Sequence, residues 1–391
     1  MLLWLIQQLS GDWCKSVMAG IDVAGLLRIT PRSGIAAILS FLVAVLTGPR
    51  WIAWLRRHFR ERISSASAEV ERLHRAKEST PTMGGMFIVA GVFLAGILLS
   101  DLGNPFVLAA MLLTGSLAAV GAADDLIKLR GDSRGLSARA KLLGQFVATA
   151  APAVLLYHGL QGAAGGCDLQ VPFFGSLGSL GVWFIPWAVL VMVAVSNAVN
   201  ITDGLDGLAG GCLVFATAGA LILVYAAGHS ELAAYLHVAS VPGAGEVTVL
   251  AAAMIGAVLG FLWFNCHPAQ VFMGDTGSLP LGGLLALLAL VARQEVLLLL
   301  LGGVFTAEAG SVVLQVLYHR FRKRRIFLCA PLHHHYQFRG VPENRIVVRF
   351  WIASALCALM ALVAVRFTSP EFVPPAPPAT EIAAIPAAPL R

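Results

Sequence analysis

Acidic residues stand at the ends of apolar runs at three places in this sequence. They are Asp124, Asp125, Asp203, Asp206 and Asp275. A carboxylate next to hydrocarbon costs about 3 kcal/mol or more on insertion scales, so such residues usually bind ions, protons or substrate. Their recurrence at three run ends indicates one polar site at a membrane surface.

The adjacent pair Asp124 and Asp125 is the first candidate for catalysis. Neighbouring carboxylates in apolar surroundings repel each other and resist desolvation unless a cation lies between them. The pair therefore suits a base or a metal ligand. An ordinary solvated helix end is the other interpretation, and the two further acidic run ends favour the first.

The stretch from Ser196 to Gly211 is the densest polar segment in an otherwise apolar half of the chain. Helical spacing places Asn200, Asp203 and Asp206 nearly on one face. Such a face suits ribose hydroxyls, a base edge or metal-bound water. The alternative is a glycine-rich turn in which these residues cap helix ends.

Asp275 lies between Gly274 and Thr276, just before a predicted helix. Carboxylates bind hard cations and helix N-termini attract phosphate, so this turn suits a metal ligand or a phosphate cradle. Phe272 suits stacking on a planar base, and Asn265 suits hydrogen bonding to one. A helix N-cap for Asp275 and an interfacial anchor role for Phe272 remain equally open.

Further polar groups lie away from the aspartates. Lys77 and Thr82 precede a glycine-rich helix start and suit a phosphate oxygen, although Thr-Pro also begins helices routinely. Gln315 shares a helix face with Glu308 inside an apolar run. Three successive histidines cannot all ligate one metal from a regular helix, so they better suit phosphate binding or proton transfer. The histidines are His333, His334 and His335.

The composition predicts the elements that must position these groups. Of the 391 residues, 58% are hydrophobic and only 12% are charged, against about 25% charged in soluble domains. The chain is therefore predicted to be an all-α polytopic membrane protein with about ten transmembrane helices. The predicted spans are 33–55, 84–101, 105–123, 142–160, 180–199, 208–228, 247–264, 278–293, 296–317 and 346–367.

Basic residues predict the orientation, because positively charged short loops stay cytoplasmic. Loops 56–80, 128–141 and 319–349 hold 20 of the 27 lysines and arginines. Both termini are then periplasmic, and the aspartates line an active-site cleft on the cytoplasmic face. The net charge of +6 follows from this topology and requires no nucleic acid; loop cations also favour membrane lipid and phosphorylated substrates.

Three regions are predicted along the chain. Residues 1–32 form a periplasmic N-terminal segment, and 33–368 form a single ten-helix catalytic domain. Residues 369–391 are rich in Pro and Ala and are expected to be a disordered tail without chemistry.

Taken together, the motifs resemble the phospho-N-acetylmuramoyl-pentapeptide transferases of bacterial peptidoglycan synthesis, from about Lys77 to Arg366. The most specific elements are Ser-Thr-Pro-Thr-Met-Gly-Gly, Asn-Ala-Val-Asn-Ile-Thr-Asp-Gly-Leu-Asp-Gly-Leu, Ala-Gln-Val-Phe-Met-Gly-Asp-Thr-Gly-Ser and Pro-Leu-His-His-His-Tyr. The resemblance implies a multi-pass enzyme of the bacterial inner membrane, usually a homodimer. It also implies Mg²⁺-dependent transfer of phospho-MurNAc-pentapeptide from UDP-MurNAc-pentapeptide to undecaprenyl phosphate, giving lipid I and UMP.

The resemblance also implies residue roles. Mg²⁺ falls on Asp275, with Asp203 beside the metal, and catalytic or substrate-binding parts fall on Asp124 and Asp125. Substrate-binding roles fall on the remaining motif positions. These are Lys77, Thr82, Asn197, Asn200, Asp203, Asp206, Asn265, Phe272, Gln315, His333, His334 and His335.

Some positions depart from the family pattern. Two alanines precede Asp124 where a bulkier pair is common, the loop after Asp125 is one residue short, and Cys266-His267 replaces the usual residues. Two alternatives stay open. A related polyprenyl-phosphate GlcNAc-1-phosphate transferase would share the aspartates, but the Asn-Ala-Val-Asn and His-His-His elements favour the first family. An ion-coupled transporter would place polar groups at mid-bilayer in both halves of an internal repeat, and no repeat is evident.

Overall fold

A computed structural model describes residues 28–58, 80–129, 135–163, 165–172, 174–236 and 238–365. Lys77, most of the predicted N-terminal segment and the predicted C-terminal tail lie outside the described residues. The domain boundaries proposed from the sequence therefore stay predictions.

The described chain is mostly helical, as the composition predicts. Its α-helices are α1 (Ile29–His58), α2 (Gly85–Leu99), α3 (Pro105–Leu129), α4 (Ala138–Leu160), α5 (Phe184–Thr202), α6 (Leu208–Ala227), α7 (Ser230–Leu236), α8 (Val247–Asn265), α9 (Asp275–Val291), α10 (Leu298–Leu301), α11 (Gly303–Arg322), α12 (Leu332–Phe338) and α13 (Glu343–Val365).

Each predicted span overlaps a helix or, for 296–317, the pair α10 and α11. Within the described residues, seven helical segments are long and apolar enough to cross a membrane, and α2 and α9 are shorter apolar helices. An all-α multi-pass membrane protein therefore fits the structure. The number of crossings and the side on which the termini lie stay predictions.

A short β-hairpin was not expected from the sequence. Its strands are β1 (Asp168–Val171) and β2 (Gly175–Ser179), which pair antiparallel with a register shift near Asp168. The Arg293 guanidinium donates to the carbonyls of Gly165 and Gly166 just before β1. The hydropathy pattern misses this element because a short glycine-rich ribbon carries little apolar signal.

Helix α9 lies at the centre of the helix packing, and all of its residues from Asp275 to Val291 are buried. Small residues permit this enclosure, since a Cβ on Gly282 would lie 2.8 Å from Ser196 Cα of α5 and one on Gly283 would lie 2.3 Å from Leu117 Cδ1 of α3. Close approach through small residues is how helices associate in lipid. The fold thus holds the N-terminus of α9 firmly between α3 and α5.

Candidate active site

Three buried aspartates meet where α3 ends and α9 begins. Asp124, Asp125 and Asp275 are 2%, 2% and 6% exposed, and each offers a carboxylate oxygen within 4.8 Å of the other two. Asp124 and Asp125 come from the last turns of α3, whereas Asp275 is the first residue of α9. The two sequence motifs therefore form one acidic centre, as the sequence predicts.

Asp125 binds the N-terminus of α9. Its carboxylate accepts hydrogen bonds from the Asp275 N–H at 3.2 Å, the Thr276 N–H at 2.9 Å and the Thr276 hydroxyl at 2.7 Å. The first N–H groups of a helix lack partners within the helix, and a carboxylate there is also favoured by the helix dipole. Asp125 is thus an N-terminal cap supplied from another helix.

Glycines make this close approach possible. A Cβ on Gly121 would lie 2.2 Å from the Asp275 carbonyl oxygen, so α3 and α9 touch backbone to backbone. Gly274 has φ +71°, and a Cβ there would meet Asp125 Oδ2 at 2.7 Å and Thr82 Oγ1 at 2.9 Å. Only glycine combines this φ with so little space.

Segment 80–85 closes one side of the centre. Phe272 donates its N–H to the Pro81 carbonyl, and Gly84 donates to the Phe272 carbonyl, both at 2.8 Å. Thr82 is buried at 4% exposure beside Gly274, while the Phe272 side chain is partly exposed. The structure thus places Thr82 beside Gly274, and the Phe272 backbone against the same segment; the substrate-binding roles of both residues stay predictions.

Two lysines neutralise part of the acidic charge. Lys128 Nζ lies 2.9 Å from both Asp124 Oδ2 and Asp275 Oδ2, and Lys141 Nζ lies 3.3 Å from Asp124 Oδ2 and also bonds Asp275. Neither lysine has a role predicted from the sequence. Lys128 follows Asp124 by four residues, the spacing of neighbours on a helix face, which was the available signal. Lys141 begins α4 across a loop, and no pattern links it to the aspartates.

Asp124 also fixes the chain that leads into α4. Its Oδ1 accepts a 2.6 Å hydrogen bond from the Leu136 N–H, while Oδ2 faces the two lysines. Its carboxylate thus has one oxygen on a backbone N–H and one on two lysine ammonium groups. Asp125, in contrast, uses both oxygens on the start of α9.

Asparagines of the α5 motif complete this region. Asn200 donates to Asp275 Oδ1 and to Ser278 Oγ, and the second distance is 2.8 Å. Asn197 pairs with Gln145 through reciprocal amide hydrogen bonds of 2.6 and 3.3 Å. Asn200 therefore touches the acidic centre directly, whereas Asn197 links α5 to α4.

The remaining aspartates of the motif lie at the end of α5 and in the turn that follows it. Asp203 ends α5 and is not part of the three-aspartate cluster, so its predicted role as a metal ligand stays a prediction. Asp206 is buried, with Oδ2 accepting from the Ala269 N–H at 3.1 Å. Asn265 accepts from the Gly207 N–H at 2.9 Å and donates to the Val271 carbonyl at 2.8 Å.

The last predicted group lies around α11 and α12. Gln315 holds the backbone of Ile326 and Phe327 through hydrogen bonds of 3.0 to 3.2 Å. His333 is buried against Glu308, with Nδ1 3.2 Å from Oε2, and its ring packs on Gly204. The other two histidines lie on α12, His334 beside Gln337 and His335 beside Leu328.

The acidic centre suits a hard divalent cation. Mg²⁺ prefers oxygen ligands, commonly one or two carboxylates together with substrate phosphates, and the cluster offers three carboxylates whose charge two ammonium groups already offset. Asp124 Oδ2 and Asp275 Oδ2 face those ammonium groups. These two oxygens are therefore the ones that a cation would reach by displacing a lysine.

Known proteins resemble this chain along most of its length. Residues 106–293 match glycosyl transferase family 4. A protein of Nitratidesulfovibrio vulgaris (strain DP4) is 46% identical over 366 residues, which is 93% of this chain and 98% of the relative. A protein of Wolinella succinogenes is 42% identical, covering 89% and 97% of the two chains. Both relatives carry the name phospho-N-acetylmuramoyl-pentapeptide-transferase.

Proposed function

This chain belongs to the phospho-N-acetylmuramoyl-pentapeptide transferases, and on that basis we propose that it transfers phospho-MurNAc-pentapeptide from UDP-MurNAc-pentapeptide to undecaprenyl phosphate. The products are lipid I and UMP, and the enzyme works in the bacterial inner membrane, as a homodimer, with its cleft on the cytoplasmic face. The observation that carries this proposal is the buried Asp124, Asp125 and Asp275 cluster with its two lysines.

Asp275 is the residue that would hold Mg²⁺, which leaves Asp124 available for the acceptor. When bound there, the cation would offset negative charge on the donor's two phosphates, which lowers the barrier to phosphoryl transfer. Lys128 and Lys141 contact the same two carboxylates. With Mg²⁺ bound at Asp275, the two ammonium groups would be free to bind phosphate oxygens of the donor or the acceptor.

Asp124 is the better of the paired aspartates for the reacting role. Asp125 accepts three hydrogen bonds at the start of α9, so a movement of its carboxylate would also displace Asp275. Asp124 Oδ2 contacts the ammonium groups of Lys128 and Lys141. This oxygen can therefore orient the acceptor phosphate or hold its proton. Direct attack by the acceptor is the proposed route; a covalent phospho-sugar on an aspartate is the rival.

The nucleoside is proposed to lie beside Phe272, whose partly exposed ring can stack on uracil. Asn200 touches Asp275 and thereby positions it. Asn265 and Asp206 hydrogen-bond to the backbone of two turns, and through these turns they are proposed to shape the pocket. The triple histidine and Gln315 are proposed to border the sugar-peptide portion of the donor.

One assay tests the proposed activity. Purified protein with UDP-MurNAc-pentapeptide, undecaprenyl phosphate and Mg²⁺ is expected to release UMP, and omission of either lipid or cation is expected to stop it. If the protein turned over UDP-GlcNAc but not UDP-MurNAc-pentapeptide, the proposal would be overturned in favour of the GlcNAc-1-phosphate transferases. UMP exchange into the donor without lipid would overturn the direct route alone.

A further inference from the structure

A second group of potential metal ligands lies apart from the three aspartates. Asp206, His267 and Glu343 each offer one ligand atom, and these atoms lie within 4.8 Å of one another. They come from three separate segments: the turn after α5, the loop after α8 and the first turn of α13. We propose that these three side chains form a binding site for a transition-metal ion of the Zn²⁺ class.

The distances fit one small ion. His267 Nδ1 lies 3.0 Å from Asp206 Oδ2 and 3.9 Å from Glu343 Oε2. Two ligands that each lie about 2.1 Å from a tetrahedral Zn²⁺ are separated by about 3.4 Å. The two His267 separations bracket that value, and the third pair lies within 4.8 Å, so small side-chain rotations would bring all three ligands onto one ion.

Backbone hydrogen bonds already orient both carboxylates. Asp206 Oδ2 accepts from the Ala269 N–H at 3.1 Å, and Glu343 Oε1 accepts from the Asp206 N–H at 2.9 Å. Such supporting contacts fix the direction of metal ligands and raise affinity. Trp351 adds a 3.1 Å hydrogen bond to the Gly207 carbonyl, which ties α13 to the same turn.

The chemistry of the set favours Zn²⁺ over Mg²⁺. Zn²⁺ binds imidazole nitrogen and carboxylate oxygen together, whereas Mg²⁺ prefers oxygen ligands alone. The Asp206 side chain is only 2% exposed, but that of His267 is 45% exposed. Solvent therefore reaches the site on the His267 side, where water would complete the coordination.

A bound ion would join three segments that otherwise meet through hydrogen bonds. It would hold the turn 203–207, the loop 265–269 and the start of α13 together, next to the segment that carries Phe272. We therefore expect zinc to raise the thermal stability of the protein. This proposal concerns binding and does not rest on the proposed transfer reaction.

The test measures zinc alone on the purified full-length protein. Equilibrium dialysis with Zn²⁺ in excess Mg²⁺ is expected to show retained zinc in the wild type, and His267→Gln is expected to weaken binding by about 10-fold or more. Glu343→Gln keeps the acceptor for the Asp206 N–H and is expected to weaken it likewise. Thermal unfolding with and without zinc should show the stabilisation in the wild type but not in His267→Gln or Glu343→Gln.

Matched variants separate this site from others. Cys266→Ser and His335→Gln remove neighbouring or surface zinc ligands and are expected to retain zinc, as is Asp275→Asn at the other acidic centre. X-ray absorption should report nitrogen and oxygen ligands without sulfur. Unchanged zinc affinity in His267→Gln, or loss in Cys266→Ser or Asp275→Asn, would overturn the proposal and leave the His267–Asp206 contact as an ion pair.

Discussion

Asp125 accepts two hydrogen bonds from Thr276, one from its N–H and one from its hydroxyl, across 151 positions of sequence. This contact joins the end of α3 to the beginning of α9 and fixes where Asp275 stands. It also gives the two adjacent aspartates, Asp124 and Asp125, different contacts. Asp125 holds the start of α9 and lies 3.7 Å from Lys128 Nζ, whereas Asp124 Oδ2 lies closer to Lys128 and also contacts Lys141, at 2.9 and 3.3 Å.

Substitutions of the two adjacent aspartates should therefore have different effects. Asp125→Asn turns one accepting oxygen into a donor that faces N–H groups, so we expect the free energy of unfolding to fall by about 2 kcal/mol, along with activity. Asp124→Asn keeps an acceptor for the Leu136 N–H, so it should lower the melting temperature less than Asp125→Asn does, but it should abolish most UMP release. Thermal unfolding in detergent and the UMP assay measure both, and equal melting temperatures for the two variants would contradict this division.

Lys141 should act in the reaction and compete with the cation. Its Nζ bonds Asp275 and lies 3.3 Å from Asp124, so Lys141→Ala removes a phosphate ligand and a competitor for Mg²⁺. We expect kcat to fall by about 10²-fold and the Mg²⁺ concentration for half-maximal rate to decrease. Arg139→Ala removes an exposed cation from the same helix turn and is the control. A parallel loss in both variants would point to a general charge effect.

The backbone contact at Gly121 should tolerate no side chain. In Gly121→Ala the new Cβ would meet the Asp275 carbonyl oxygen at 2.2 Å, so α3 and α9 must separate. We expect a lower melting temperature and loss of turnover. Gly310→Ala is the matched change, because nothing lies within 4 Å of its Cβ, and it should stabilise α11 by about 0.5–1 kcal/mol. Wild-type turnover in Gly121→Ala would contradict the close approach.

His335 gives the loop before α12 a pH dependence. Burial, together with the nearby Arg339 charge, lowers the pKa of His335 below its ordinary value of 6.5, and its Nδ1 accepts from the Leu328 N–H at 3.1 Å. Because the folded state prefers neutral imidazole, this contribution to stability is complete above pH 6.5 and is lost as the pH falls through the lowered value.

Hydrogen exchange at Leu328 measures this effect. We expect the amide to lose protection as the solution is acidified in wild type. In His335→Asn, whose side chain does not titrate, protection should not change over the same range. An acid-dependent loss of equal size in the variant would assign the effect to another group.

The sequence predicts the helices and the acidic centre because both have local signatures. Apolar runs of span length locate the helices, and Asp124, Asp125 and Asp275 stand at run ends. The contact of Lys141 with the aspartates and the contact of Asp125 with Thr276 could not be predicted, because they depend on how helices that are distant in sequence pack together. The proximity of His267 to Glu343 depends on three segments and has no local pattern. The β-hairpin is missed because a hydropathy pattern detects membrane spans, and a short glycine-rich hairpin carries little apolar signal.

The enclosure of α9 has a consequence for how substrates can be accommodated. Every residue from Asp275 to Val291 is buried, so the carboxylate at its tip cannot shift without unpacking the protein's interior. Adjustment to a bulky donor must then come from the periphery, where α11 presents Val313, Leu317 and Phe321 outward. Asp275 is therefore held in place by the packing around α9, and the outer helices are the part expected to move to make room for the donor.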